Sequence, residues 1–262
     1  MNQEPAHPNL KVSLSIIFLS ILLAGVVTLF CSIYFPKIQL IVGEIFIIIP
    51  ALIYLSLRKY DFINVFRIHK IDKKILLVSF GLGLSITILT DEMDRIISTF
   101  IKIPPEFEEL LTEMLVVDSL LDGVILFFAA VVLAGLIEEM LFRGLLQKAL
   151  ENKLDLPYAL FFSALIFAFA HPTPWLIQVL LLGLILGYLA WRSNSIIPGI
   201  ILHSVNNAFA FFFNNVSPEN FEWYNWNNHV NPPIVVIAVC ITFYGLKWFY
   251  RFTEFEDVVE EW

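Results

Sequence analysis

Residues 156–191 read LPYALFFSALIFAFAHPTPWLIQVLLLGLILGYLAW, a run of 36 residues without one Asp, Glu, Lys or Arg. A helix that crosses a bilayer needs ~20 mostly apolar residues. The run is therefore too long for one span, and His171-Pro172-Thr173-Pro174 supplies the turn that divides it into two. With this pair included, the apolar windows lie near 12–36, 38–57, 74–90, 120–150, 156–172, 174–191, 195–213 and 232–250. The expected fold is all-α: a polytopic membrane protein with about eight transmembrane helices.

Composition agrees. The 262 residues are 58% hydrophobic and 15% charged, with a mean hydropathy of +0.79, whereas a soluble domain is about 25% charged. A soluble core of this size would leave large apolar areas in water and aggregate. Net charge −8 further excludes a nucleic-acid partner. Cys31 and Cys240 sit inside apolar runs and make no disulfide framework. The first run, Val12 to Pro36, carries no charge for 25 residues, too long for a cleaved signal, so it reads as a span that stays.

With eight spans, 13 of the 16 Lys and Arg residues fall on one side and 3 on the other. The positive-inside rule then puts both termini in the cytoplasm. The segment Asp91–Asp118 holds eight acids against two bases. It reads as an outer, solvated loop, with an amphipathic surface helix through Phe107, Leu110, Leu111, Met114 and Leu115. The aromatic stretch from Phe221 to Trp226 reads as an interfacial belt, and the acidic tail Glu254 to Glu261 as a solvated end. No internal repeat stands out, which argues against a solute carrier. Residues 1–262 read as a single integral membrane domain.

Ionisable groups at membrane depth are costly and mark function. Glu44 has no basic neighbour in its own span and reads as structural. In the fourth span Glu138 and Glu139 are followed by Arg143. At 100° per residue Arg143 lies over Glu139, so those two neutralise each other and leave Glu138 on a neighbouring face without an in-helix partner. His171 closes the fifth span; His203 and Asn207 share a face of the seventh at i, i+4. From the cytoplasmic ends of their helices, Glu138 lies ~20 Å up, His171 ~22 Å, and His203 and Asn207 ~12 and ~18 Å. These four can meet in one layer, while Glu44 is harder to place there.

A carboxylate, two imidazoles and an amide at one buried level can hydrolyse an amide bond. The acid takes a proton from water, the imidazoles hold that water or a metal, and the amide N–H steadies the oxyanion. No Ser or Cys nucleophile is indicated, and the His-Glu-x-x-His zinc motif is absent.

These residues resemble the CPBP intramembrane endopeptidases, a family that includes the CAAX prenyl proteases and bacterial proteins of bacteriocin processing and self-immunity. Its Glu-Glu-x-x-x-Arg motif matches Glu138, Glu139 and Arg143, with the Phe142-Arg143-Gly144 continuation. Its Phe-x-x-x-His motif matches Phe167 and His171, and its His-x-x-x-Asn motif matches His203 and Asn207. The ordered trio is specific although each motif alone is weak, and the motif-bearing region covers about 119–213.

The resemblance implies a CAAX-protease-like bundle with a conical cavity, in a bacterial cell membrane. Glu138 would activate water with His171, and His203 and Asn207 would steady water and oxyanion. Glu139 and Arg143 would orient the site, and Phe167 would line it. The substrate would be a membrane-associated or lipidated peptide or protein. Zinc stays open: His171, His203 and Glu138 are the candidate ligands, and a metal-free glutamate mechanism uses the same atoms. The alternative function is a non-proteolytic bacteriocin self-immunity or membrane scaffold protein that keeps the motifs for packing.

Overall fold

The computed structural model describes residues 7–35, 38–102, 115–171 and 176–253. Nine helices occur among them: α1 (Leu10–Tyr34), α2 (Gln39–Leu57), the short α3 (Phe62–Val65), α4 (Lys73–Phe100), α5 (Leu120–Glu151), α6 (Leu156–Ala170), α7 (Leu176–Ser193), α8 (Ile197–Asn215) and α9 (Pro232–Phe252). Local chemistry sets many of the starts. Asn9, Asp61, Asp72 and Ser119 accept from backbone N–H groups in the first turns of α1, α3, α4 and α5. Prolines occupy the first turns of α6, α8 and α9, where a missing N–H costs nothing.

Among the described residues six helices are long and apolar enough to cross a membrane: α1, α2, α4, α5, α7 and α9. The chain is thus an all-α polytopic membrane protein, but eight crossings are not met by length and composition. The two expected spans that fall short are α6, with 15 residues, and α8, which carries His203, Asn206, Asn207, Asn214 and Asn215. Both bear site motifs: α6 falls short in length alone, while the polar groups that α8 brings to the site lower the very signal used to count spans.

Two apolar cores lie side by side. One joins α1, α2, α5 and α6 through residues such as Ile17, Leu55, Leu141 and Phe167. The other joins α4, α7, α8 and α9 through Leu82, Leu186, Leu202 and Phe249. Helices α5 and α8 meet along the seam. Phe18, Leu29, Ile33 and Leu77 are instead exposed, as side chains facing lipid should be.

Two features of α5 are invisible to hydropathy. Residues 128–133 and 140–147 form π-type turns within the 32-residue helix. Such wide turns leave backbone carbonyls badly placed for their own helix, and neighbouring helices supply the donors. Ser204 Oγ gives a hydrogen bond to Val131 O at 2.9 Å, and Asn207 Nδ2 gives one to Ala130 O at 2.9 Å. Ser163 Oγ reaches Phe142 O at 3.1 Å.

The two ends of the bundle differ in charge. At the basic end, Arg67 pairs with Glu151, and Arg192 donates to Tyr250 O at 3.1 Å over the Tyr250 ring. The N-terminal segment also reaches this end, with His7 Nε2 3.4 Å from Gly144 O. At the acidic end, α4 runs ten residues beyond the expected window, to Phe100.

There a hairpin of β1 (Asn225–Trp226) and β2 (His229–Val230) lies against α4. Its turn residues Asn227 and Asn228 take positive φ of 47° and 67°, the geometry of a two-residue hairpin turn that Asn tolerates. Glu92 accepts from His229 Nδ1 at 2.8 Å and Val230 N at 2.7 Å. Asp91 Oδ2 accepts from Tyr224 Oη at 2.7 Å. Burial, helped by that contact with Asp91, holds the Tyr224 phenol well above its ordinary ionisation range.

The first acids of the Asp91–Asp118 segment therefore fasten a strap, and the reading of them as a solvated loop is corrected. Phe107, Leu110, Leu111 and Met114 of the expected surface helix lie outside the described residues, as does the tail Glu254 to Glu261. In the belt, Trp223 and Trp226 are exposed while Tyr224 turns inward.

Candidate active site

The seam between the two cores gathers Glu138, Glu139 and Arg143 of α5, Phe167 of α6, His171 at its C-cap, and His203 of α8. Arg143 and Glu139 are both fully buried. Arg143 Nη1 lies 2.9 Å from Glu139 Oε1, and Nη2 donates to Gly183 O at 3.3 Å. The expected i, i+4 pair thus forms even though the helix passes into π-type turns between them.

Two glycines permit these approaches. A Cβ on Gly199 would stand 2.6 Å from Glu139 Oε2. A Cβ on Gly144 would stand 2.7 Å from the Phe66 Cα, so only glycine lets α5 lie this close to the chain after α3.

Phe167 is the centre on which the other groups rest. The Arg143 guanidinium lies 4.0 Å from its ring centroid, in cation–π range. The His171 ring is at 4.4 Å and the His203 ring at 5.8 Å, both tilted edge-on. The Phe-x-x-x-His spacing also puts the Phe167 carbonyl in reach of His171 Nδ1, at 2.8 Å. Since a carbonyl only accepts, His171 carries a proton on Nδ1 and presents Nε2 to the site. His203 Nδ1 donates in the same way to Glu139 Oε1 at 3.2 Å. The structure thus adds to Glu139 a second contact that sequence spacing within one helix could not show.

Both Nε2 atoms converge on one oxygen. Glu138 Oε2 is 3.4 Å from His171 Nε2 and 3.7 Å from His203 Nε2. This oxygen is buried and makes no hydrogen bond among the described residues. Exposure falls from 28% at the His171 side chain to 13% at Glu138 and 3% at His203, so the His171 side of the acid is the more open one.

Asn207, one turn beyond His203, gives one Nδ2 hydrogen to Ala130 O; an amide nitrogen has two. Glu44 was not expected in this layer. It lies on α2, which packs against α5 beside Glu138, and the charge of Glu138 acts on it. Its Oε2 is buried without a hydrogen bond. Its one signal in sequence was the bare acid in an apolar span.

Among the described residues no group of three His, Cys, Asp or Glu side chains is arranged to hold a metal ion. His171, His203 and Glu138 do meet, but their convergence alone does not make a zinc centre, and no step below passes through one.

Residues 119–209 match the family model described as Rce1-like, type II CAAX prenyl endopeptidase. The match falls on the same stretch that carries the three motifs, and the CPBP resemblance is borne out. No curated protein and no solved structure matches the chain.

Proposed function

We propose that this chain, whose residues 119–209 match the Rce1-like, type II CAAX prenyl endopeptidase model, cleaves a membrane-associated or lipidated peptide with Glu138 as its base. The observation that carries the reading is the unbonded Glu138 Oε2 between two imidazole Nε2 atoms. A water there can give its proton to Glu138 while its oxygen attacks the scissile carbonyl carbon. The tetrahedral oxyanion accepts a hydrogen bond from the second Nδ2 hydrogen of Asn207. Glu138 then returns the proton to the leaving nitrogen, the C–N bond breaks, and the products are a carboxylate and an amine.

Glu139 acts through His203. Paired with Arg143, it accepts from the His203 Nδ1–H and so fixes the tautomer that turns Nε2 toward Glu138. The substrate is membrane-bound because the site lies within the bundle. By the positive-inside rule the basic end, with both chain termini, faces the cytoplasm.

The test is cleavage of a peptide library with lipidated termini by purified wild type and Glu138→Gln, with and without chelator. Loss of cleavage in Glu138→Gln at unchanged thermal stability supports the carboxylate base. Cleavage by Glu138→Gln overturns it. Loss with chelator and rescue by zinc would transfer the chemistry to metal hydrolysis.

A further inference from the structure

Away from the seam, α4 and α9 part to leave a groove of about 510 Å³ between them. Its walls include Leu77 and Gly81 of α4 and Cys240, Tyr244 and Trp248 of α9, and they are apolar almost throughout. Part of the space exists because a side chain is missing. A Cβ on Gly81 would meet nothing nearer than Ile241 Cγ2, at 3.9 Å. Leu77, Ile241, Tyr244 and Trp248 are exposed, so the groove opens from the bundle toward lipid. From Trp248 to Cys240 it extends ~12 Å along α9. Such a slot suits a hydrocarbon chain; a peptide backbone would leave its polar groups unpaired there.

The basic end of the slot has a different chemistry. Lys74 stands three and four residues before Leu77 and Val78, on the same face of α4, and Arg251 stands three residues after Trp248 on α9. Lys74 Nζ lies 5.7 Å from the centroid of the Phe252 ring, so its side chain crosses from α4 to α9 at the end of the slot. Lys73 and Lys247 lie within a turn of these two, and all four cations are exposed. None of the four makes an ion pair among the described residues. Asp72, the acid beside them, is taken up in capping α4, where its Oδ1 accepts from Lys74 N at 2.7 Å. Two other apolar cavities, lined by residues such as Phe212 and Val216, lie at the acidic end instead.

An apolar slot that faces lipid and ends under a cluster of cations matches an amphiphile with an acyl chain and a phosphate. The positive-inside rule places this end in the cytoplasm, and the cytoplasmic leaflet carries the anionic lipids. We propose that the α4–α9 groove binds an anionic phospholipid of that leaflet, with one acyl chain in the slot and the phosphate held by Lys74 and Arg251. The groove is separate from the catalytic seam, and binding there is read without cleavage.

The experiment uses the full-length protein in detergent, titrated with dioleoyl phosphatidylglycerol or dioleoyl phosphatidylcholine. Native mass spectrometry counts the lipids bound and the copies of the chain. The expected outcome is one phosphatidylglycerol per chain, held about 10-fold more tightly than phosphatidylcholine. Lys74→Gln/Arg251→Gln should bring that ratio below about 3-fold. Arg58→Gln/Lys59→Gln removes two cations from the end of α2, off the groove, and should leave the ratio unchanged. Gly81→Leu fills the slot and should weaken both lipids about 10-fold. Thermal unfolding checks that the variants fold, and the charge variant and the Gly81 variant test the two halves of the site separately. Equal binding of the two lipids, a ratio lowered alike by both charge variants, or undiminished binding by Gly81→Leu overturns the proposal. So does a dimer in place of the lipid-bound monomer, which would give the groove to a second copy. A phosphatidylglycerol preference that emerges only when the acids between Glu254 and Glu261 are changed to amides would give the cations to the chain's own tail, and overturns it too.

Discussion

Replacing Arg143 by Met tests the buried pair on which the site geometry depends. The guanidinium is fully buried, neutralises Glu139 at 2.9 Å, donates to Gly183 O and covers the Phe167 ring. Met fills much of the volume but leaves Glu139 as a buried acid whose one remaining polar contact is His203 Nδ1. Removing one partner of such a pair costs about 3–5 kcal/mol. For a chain of this size each kcal/mol moves Tm by roughly 2–4 °C, so Arg143→Met should unfold about 10 °C below wild type. The double variant Glu139→Gln/Arg143→Met removes both charges and should recover about 2–3 kcal/mol of the loss. It should not recover cleavage, because an amide in place of the Glu139 carboxylate no longer fixes the His203 tautomer. The assay is thermal unfolding in detergent, read by size exclusion, together with peptide cleavage. A single variant within about 2 °C of wild type, or a double variant no better than the single one, would refute the pair's role.

Three further outcomes follow from individual contacts. Asn207→Ala should lower kcat about 100-fold with little change in KM, and should also cost about 1 kcal/mol for the lost bond to Ala130 O; a kcat within about 3-fold of wild type would leave Asn207 only its docking role. Gly199→Ala puts a methyl 2.6 Å from Glu139 Oε2, so it should destabilise by about 1–3 kcal/mol and reduce activity, and normal unfolding and turnover would show that the carboxylate can move at no cost. Burial holds the His7 imidazole below its ordinary value of 6.5, so the fold favours the neutral ring. Its contribution is full above 6.5 and is lost as pH falls through the lower folded value. The protection of amides around Asn9, taken relative to their intrinsic exchange rates, should then fall as pH drops below 6.5 in wild type and not in His7→Phe, and a flat wild-type profile would count against this.

Much of the site could be read from residue order because its parts are local. Glu139 and Arg143 are one turn apart, as are Phe167 and His171, and each pair makes the contact its spacing allows. What could not be read is how the pairs stack. Phe167 as the surface under Arg143 and against both imidazoles is a tertiary fact with no periodic signal. The π-type turns of α5 were equally hidden, since nothing in Phe128–Leu133 differs from ordinary helix. Their trace lies elsewhere, in Ser204 and Asn207, polar side chains on the face of α8 that meets α5. Hydropathy ended α4 at residue 90 because charge begins at Asp91. The helix goes on because the hairpin satisfies those charges.

The adjacent acids Glu138 and Glu139 have opposite fates, and the seam explains why both are needed. Glu139 points into the contact among α5, α7 and α8, where Arg143, His203 and the bare backbone of Gly199 enclose it. Its charge is spent on structure, and what it delivers is one imidazole in one tautomer. Glu138, one residue earlier, leaves an oxygen open between that imidazole and the partly exposed His171. A single acid could not do both. Paired with Arg143 it lies with its second oxygen shut against Gly199, with no room for a water, and left open it would not hold His203. In the proposed mechanism the doubled carboxylate therefore separates rigidity from reactivity across one peptide bond. The π-type turns on either side of it, tied down by α6 and α8, hold that arrangement in register with both cores.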